Sequence, residues 1–242
     1  MAEYQRQTVA SRGATTTAAV DEGLRSYMLG IYNYMGLGLG ITGVVAYFFN
    51  NWVMSSQAAI DTVYGSPLMW VIALSPLAFV LVLSFGIQRM SAATAQLVFW
   101  AFAVSMGLSL SSIFAVYTGE SIARVFFITA GTFGAMSLWG YTTKRDLTSM
   151  GSFLFMGLIG LIIAMVVNIF LASSALGFAI SALGVLIFVG LTAYDTQKIK
   201  EMYFEGDDGE TMGKKTIMGA LRLYLDFINL FLMLLSLFGN RN

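Results

Sequence analysis

Between Leu147 and Tyr194 the chain contains no charged residue. A helix needs about 20 mostly apolar residues to cross a bilayer, so this stretch is long enough for two spans joined by a turn at Ser173-Ser174. The whole composition agrees, because charged residues make up 11% of the chain against about 25% in soluble domains. The sequence therefore predicts an all-α integral membrane protein.

Seven segments of the chain are long and apolar enough to span a membrane. Their approximate ranges are 27–49, 68–87, 92–117, 121–141, 153–172, 177–197 and 216–238. We predict one seven-helix transmembrane domain over residues 23–242. Residues 1–22 are polar and are predicted to form an N-terminal arm on the cytoplasmic side.

The positions of the lysines and arginines predict the orientation of the spans. Loops on the cytoplasmic side of a membrane carry an excess of these residues. If the N-terminal arm is cytoplasmic, ten Lys and Arg residues lie on that side and two on the other. The ten are Arg6, Arg12, Arg25, Arg89, Lys144, Arg145, Lys198, Lys200, Lys214 and Lys215, and the two are Arg124 and Arg241. A cytoplasmic N-terminus and an external C-terminus are expected.

Composition also restricts the chemistry. The chain has no Cys and no His, so it offers neither a thiolate metal site nor the side chain that usually titrates near neutral pH. The net charge is zero, which argues against nucleic acid as a partner. No cofactor is expected, and any response to pH must come from carboxyl groups in unusual surroundings.

Two aspartates lie in apolar surroundings. Asp195 is near the cytoplasmic end of the sixth predicted span, and Asp226 lies about ten residues, or roughly 15 Å, into the seventh. A charge near a bilayer centre costs about 2.5–3.5 kcal/mol on insertion scales. The two spans are joined by a short loop, so we expect the two carboxyls to meet. Carboxyls in contact cannot both ionise cheaply, and they take up protons as a coupled pair.

Another interpretation of the same residues separates the two aspartates. Arg222 precedes Asp226 by four positions and so lies on the same helix face, where it could be the counter-ion of Asp226. Asp195 would then place its carboxylate at the cytoplasmic interface, where water solvates it. Arg222 could also reach the surface itself.

The acidic segment 201–210 lacks the spacing of a calcium loop and is expected to be solvated.

Three motifs carry a resemblance to a known family. They are GLTAYDTQKI at residues 190–199, ALRLYLDFINLF at 220–231 and GYTTKRDL at 140–147. With them, the chain from about residue 24 to 239 resembles the bacterial branch of the transmembrane Bax inhibitor motif family. The first two motifs together are specific, and they contain both buried aspartates.

The resemblance implies a fold and a function. It implies six helices around a central seventh, and a calcium leak that opens on acidification. The aspartate pair that governs the leak maps to Asp195 and Asp226, which would also hold calcium transiently as the transported ion. An arginine at the cytoplasmic end of the second span latches onto the pair in relatives, and Arg89 is its best match. Asn229 is expected along the ion path, with Arg222 as a possible counter-ion.

Two other classes of function remain open from the sequence. The protein could regulate other membrane proteins, such as stress or protease machinery, without transport of its own. Intramembrane aspartyl proteases also place Tyr-Asp on the sixth span, but they need Gly-x-Gly-Asp around the second aspartate, where this chain has Leu223-Tyr224-Leu225-Asp226. We therefore expect no enzyme activity.

The resemblance implies the bacterial cytoplasmic membrane as location, with the lipid bilayer, calcium and other membrane proteins as partners.

Overall fold

The computed structural model describes the backbone from Ala2 to Asn242 and the side chains from Asp21 onward. Within these residues the chain forms nine α-helices and no extended strand. The helices are α1 (Ala2–Val53), α2 (Gln57–Tyr64), α3 (Leu68–Gly86), α4 (Ala92–Leu110), α5 (Ile113–Val116), α6 (Gly119–Thr142), α7 (Thr148–Leu171), α8 (Ser174–Glu201) and α9 (Gly209–Phe238).

Seven helical segments are long and apolar enough to cross a membrane, which confirms the predicted fold class. The first is the part of α1 from Asp21, and the third combines α4 with α5 across a break at Ser111-Ser112. A 3-10 turn, Ile87–Arg89, extends α3 toward the start of α4. Helix α2 was not predicted: it is a short amphipathic helix in the first loop, and the side chain of Ser56 accepts a hydrogen bond from Ala59 N–H at its start.

Helix α9 occupies the centre of the bundle, as the resemblance implied. Helices α1, α4, α6 and α8 pack directly against it, while α3 and α7 lie outside α4 and α8. In the apolar part of α9, 56% of the residues are buried, against 11–33% in the other six spans. The outer helices instead present large apolar side chains such as Phe85, Phe127 and Phe170 on the surface, which is the side that lipid covers.

Glycines bring α8 into backbone contact with its neighbours. A Cβ atom on Gly140 of α6 would lie 2.3 Å from the carbonyl oxygen of Ala193, and one on Gly151 of α7 would lie 2.3 Å from the ring of Tyr194. Small residues allow such close approach between helices in lipid. These two contacts fix the stretch of α8 that immediately precedes Asp195.

The turn between α7 and α8 lies where the sequence predicted it. Ala172 adopts a left-handed conformation with φ of 48°, which a residue with a side chain seldom adopts. The side chain of Asn168 accepts a hydrogen bond of 3.0 Å from Ser173 N–H, and Ser173 Oγ accepts one of 3.3 Å from Leu176 N–H at the start of α8. These two bonds hold the reversal of the chain.

The predicted N-terminal arm, residues 1–22, falls almost wholly on residues whose side chains lie outside the described part. Its backbone is helical from Ala2 and runs without a break into the first span. Its separation from the transmembrane domain at residue 23, and its cytoplasmic location, stay predictions.

Candidate functional site

The antiparallel packing of α8 and α9 brings the two aspartates together. The helices are joined by a loop of residues 202–208 and form the most extensive helix contact in the bundle. Asp195 is 7% exposed and Asp226 is 6% exposed. Their carboxyl groups lie next to each other where α8 packs on α9. The structure thus forms the buried carboxyl pair that the sequence predicted.

The pair is incompletely satisfied by the protein. Oδ1 of Asp195 and Oδ2 of Asp226 are both buried without a hydrogen-bond partner among the described residues. Burying an ionised carboxylate costs several kcal/mol unless a cation, a donor or a proton compensates for it. A neighbouring pair of carboxyls with such oxygens favours a shared proton or a bound cation.

Arg222 approaches this pair from the exposed side. Its NH1 lies 3.5 Å from Oδ1 of Asp195, and its side chain is 50% exposed. This ion pair joins α9 to α8 instead of closing along α9, and the charge of Arg222 also acts on the neighbouring Asp226. One cation thus partly offsets the charge of the two carboxyls.

Arg89 lies away from the aspartate pair in this structure. It ends the 3-10 turn after α3, its side chain is exposed, and from residue 21 onward no acidic side chain lies within ion-pair distance of it. Helix α3 itself packs on α4 and not closely on α9. The role of Arg89 as a latch stays a prediction.

A contact that the sequence did not indicate ties the start of α4 to α9. Oε1 of Glu210 accepts a hydrogen bond of 2.7 Å from the N–H of Ala92 and lies 3.2 Å from Nζ of Lys214. Free N–H groups at a helix start favour a carboxylate. The junction that follows Arg89 is thus fastened to the central helix by one exposed carboxylate.

Asn229 lies one helical turn beyond Asp226. Its Nδ2 donates a hydrogen bond of 2.8 Å to the carbonyl of Leu225, and its side chain is half-buried. The amide nitrogen is occupied within α9, which leaves the amide oxygen as the group available to a cation.

A chain of hydroxyl groups connects α1 and α6 to the residue next to Asp195. Thr196 donates to the carbonyl of Thr192 at 2.7 Å, so its oxygen accepts from Ser137 at 2.8 Å. Ser137 in turn accepts from Tyr32 at 2.6 Å. Three helices are therefore joined by a directional hydrogen-bond chain at the level of the aspartates.

A second buried chain holds α9 against α1 and α4. Thr42 donates to the carbonyl of Ala103 at 2.8 Å, so Tyr224 donates to the oxygen of Thr42 at 2.7 Å. Tyr224 is fully buried and packs edge-on against Phe102. Both chains consist of hydroxyl residues in apolar segments. This pattern marks candidate residues in the sequence but does not show which of them meet.

Gln197 fixes the turn between α6 and α7 to α8. Its Oε1 accepts a hydrogen bond of 2.9 Å from Leu147 N–H, and its Nε2 donates one of 2.8 Å to the carbonyl of Arg145. Gln197 follows Asp195 by two residues, so the same turn of α8 carries both the carboxyl and this structural clamp.

Three carboxylates of the acidic segment 201–210 bind groups close to them in the chain. Asp207 forms an ion pair with Lys215, and Glu201 lies 2.7 Å from Nζ of Lys198. Asp208 accepts a hydrogen bond of 2.7 Å from Thr211 N–H at the start of α9, and this bond lowers the pKa of Asp208 so that the cap stays ionised in mild acid. From residue 21 onward, no three acidic side chains are grouped as metal ligands.

Comparison with known proteins shows which family the chain belongs to. The family described as "Inhibitor of apoptosis-promoting Bax1" matches residues 24–242. The chain belongs to this family. All the site residues, from Arg89 to Asn229, lie inside the matched part, so the resemblance predicted from the three motifs is confirmed.

Relatives of this Bax inhibitor-like protein occur in several bacteria. The inner membrane protein YbhL of Escherichia coli K12 is 50% identical over 222 residues, which cover 90% of this chain and 93% of YbhL. An uncharacterized protein of Rickettsia prowazekii is 51% identical over 230 residues, covering 94% and 96% of the two chains. With the seven spans, these matches show an integral, multi-pass membrane protein of the Bax inhibitor-like family.

Proposed function

We propose that the protein is a pH-sensitive calcium leak, governed by the Asp195–Asp226 pair. The observation that carries this proposal is a pair of buried carboxyls, on the central helix and its neighbour, each with one oxygen that accepts no hydrogen bond from the described residues. Intramembrane acidic residues usually mark ion or proton paths.

Charge balance explains why such a pair responds to pH. With both carboxyls ionised, Arg222 offsets one charge and one negative charge remains in a dry site. A proton shared between the two carboxyls removes that charge and supplies a donor between them. Acidification therefore weakens the attraction of the pair for any cation that holds the path shut. In this mechanism Arg89 is that cation, reaching the pair in a second conformation of the α3–α4 junction.

Calcium is the proposed ion because the site offers only oxygen ligands. Carboxylate and amide oxygens suit calcium, and two carboxyls with the Asn229 oxygen make an incomplete shell. A leak needs binding that is weak enough for the ion to leave. We therefore propose a transient site at Asp195 and Asp226 without a resident metal, and no catalytic role for either residue.

Calcium entry into liposomes containing only the purified protein tests this function. The liposomes contain a calcium-sensitive dye, and protein-free liposomes of the same lipid are the matched control. We expect calcium entry above the control that increases as the pH falls. Calcium entry equal to the control at every pH would refute the leak.

That negative result would favour a second function, the regulation of another membrane protein. The supporting observation is the family to which the chain belongs, which is described as an inhibitor of another protein. Such a regulator would need no ion path, and the buried pair would then serve only to hold α8 against α9.

Replacing Arg222 by glutamine should shift the pH dependence of calcium flux to higher pH. A cation 3.5 Å from Asp195 favours the ionised pair, so without it the first proton binds more readily. We expect the midpoint to rise by about one pH unit, the change that corresponds to about 1.4 kcal/mol. The measurement is the liposome flux assay. Arg124→Gln is the control, since Arg124 reaches only the carbonyl of Phe238 at 3.5 Å. An unchanged midpoint in Arg222→Gln would exclude Arg222 as the counter-ion.

We also propose that the N-terminus is cytoplasmic and the C-terminus external. The support is the ten-to-two distribution of Lys and Arg together with the odd number of spans. A reporter enzyme that is active only outside the cytoplasm should be active when fused after Asn242. The same fusion after Tyr203, in the loop between α8 and α9, should be inactive, and the reverse pattern would contradict this orientation.

A further inference from the structure

A lateral cleft separates α1 from α6. Both helices pack closely against α9, but close backbone contacts between α1 and α6 themselves are sparse. The space between them forms a cavity of about 660 Å³, and from residue 21 onward its lining residues belong to these two helices. Its volume lies within the range of about 300–1,000 Å³ found for small-molecule sites. The aspartate pair does not line it.

The interior of the cleft is apolar and its long side is open. Met28, Met35 and Phe133 form its buried wall, and Leu29 and Leu138 at its edges are 51% and 64% exposed. Both edges belong to helices that span the membrane, and they face outward from the bundle. The open side of the cleft therefore faces the hydrocarbon of the bilayer. An acyl chain fits such a surface.

Charges are confined to one end of the cleft. Asp21 and Arg25 are the charged residues in its lining, both exposed, and they lie four positions apart on one face of α1. A guanidinium binds phosphate through two parallel hydrogen bonds. Glu22, whose Oε2 lies 3.9 Å from NH1 of Arg25, and Asp21 place carboxylates near this guanidinium. They attract an ammonium group and repel a headgroup with net negative charge.

We propose that this cleft binds one aminophospholipid of the surrounding bilayer. One acyl chain lies between α1 and α6, the phosphate contacts Arg25, and the amine contacts Asp21. The arrangement of a long apolar cleft that ends in one positive and one negative side chain matches such a zwitterionic lipid. Tyr32 and Ser137, two members of the hydroxyl chain that ends at Thr196, line the same cleft, so the occupant would lie against residues that support α8.

A substitution that fills the cleft tests whether a lipid binds there. Around Gly134, a lining residue, a Cβ atom would meet no other atom within 4 Å, so Gly134→Leu projects a side chain into the cleft. Gly131→Leu is the matched control, because Gly131 is equally unobstructed on the same helix but does not line the cleft. Purified, delipidated full-length protein is titrated with phosphatidylethanolamine or phosphatidylglycerol and observed by native mass spectrometry.

Wild type and Gly131→Leu are expected to retain one phosphatidylethanolamine, and Gly134→Leu to bind it at least about tenfold more weakly because the acyl chain loses its contacts. Arg25→Gln should weaken the binding of both lipids, whereas Asp21→Asn should remove the preference for phosphatidylethanolamine. Equal lipid binding by Gly134→Leu and wild type would overturn the proposal. So would a dimer of the wild-type chain that Gly134→Leu dissociates, since a second copy would then occupy the cleft.

Discussion

Replacing Gly140 by valine is expected to destabilise the bundle by about 3 kcal/mol or more, at the upper end of the cost of overpacking. A Cβ atom at this position would lie 2.3 Å from the carbonyl oxygen and 2.8 Å from the Cα of Ala193. Both are backbone atoms, which cannot rotate away as a side-chain end can. The only relief is separation of α6 from α8, which would also break the hydrogen bond from Ser137 to Thr196.

Thermal unfolding in detergent measures this effect. Gly131→Val is the matched control, since a Cβ atom on Gly131 of the same helix has no neighbour within 4 Å, and it should unfold close to wild type. Because Ala193 precedes Asp195 by two residues, any Gly140→Val protein that folds should also show an altered pH dependence of flux. A melting temperature equal to that of Gly131→Val would contradict the close contact of α6 and α8.

Replacing Asp226 by asparagine is expected to lower calcium flux at least about tenfold and to remove its dependence on pH. Asparagine keeps the size of the side chain but cannot share a titrating proton with Asp195, and it removes one of the two carboxylates that attract the cation. The measurement is calcium entry into liposomes at several pH values. Glu205→Gln serves as a control, because Glu205 is an exposed acidic residue of the α8–α9 loop. Wild-type flux in Asp226→Asn would exclude this residue from the path.

The sequence was sufficient to predict the spans and the aspartate pair. Apolar length determines a span, and two neighbouring antiparallel helices place residues of similar depth together. This is why Asp195 and Asp226 could be predicted to meet. The rotation of each helix was harder to predict, since a helix that is apolar on most faces gives little indication of which face turns inward. Spacing alone therefore could not say which aspartate Arg222 contacts.

The contacts that support the pair depend on tertiary geometry. Tyr32 and Ser137, like Tyr224 and Thr42, are distant in sequence and meet only because of how α1 is placed beside α6 and α9. A hydroxyl residue in an apolar segment can also bond its own helix, as Thr129 does with the carbonyl of Val125. The sequence offers no rule that separates these two outcomes. The hydrogen bond from Ala92 N–H to Glu210 depends in the same way on the close approach of the first turns of α4 and α9.

The most direct test of the paired-aspartate mechanism is the pH profile of calcium flux through Asp195→Asn in liposomes, compared with wild type from about pH 5 to about pH 8. Asparagine at this position keeps the volume of the side chain but removes both the anion that contacts Arg222 and half of the coupled pair. The mechanism predicts that flux through Asp195→Asn is equal within about twofold across this range, because no shared proton remains to be bound. A pH dependence in Asp195→Asn as steep as that of wild type would contradict it.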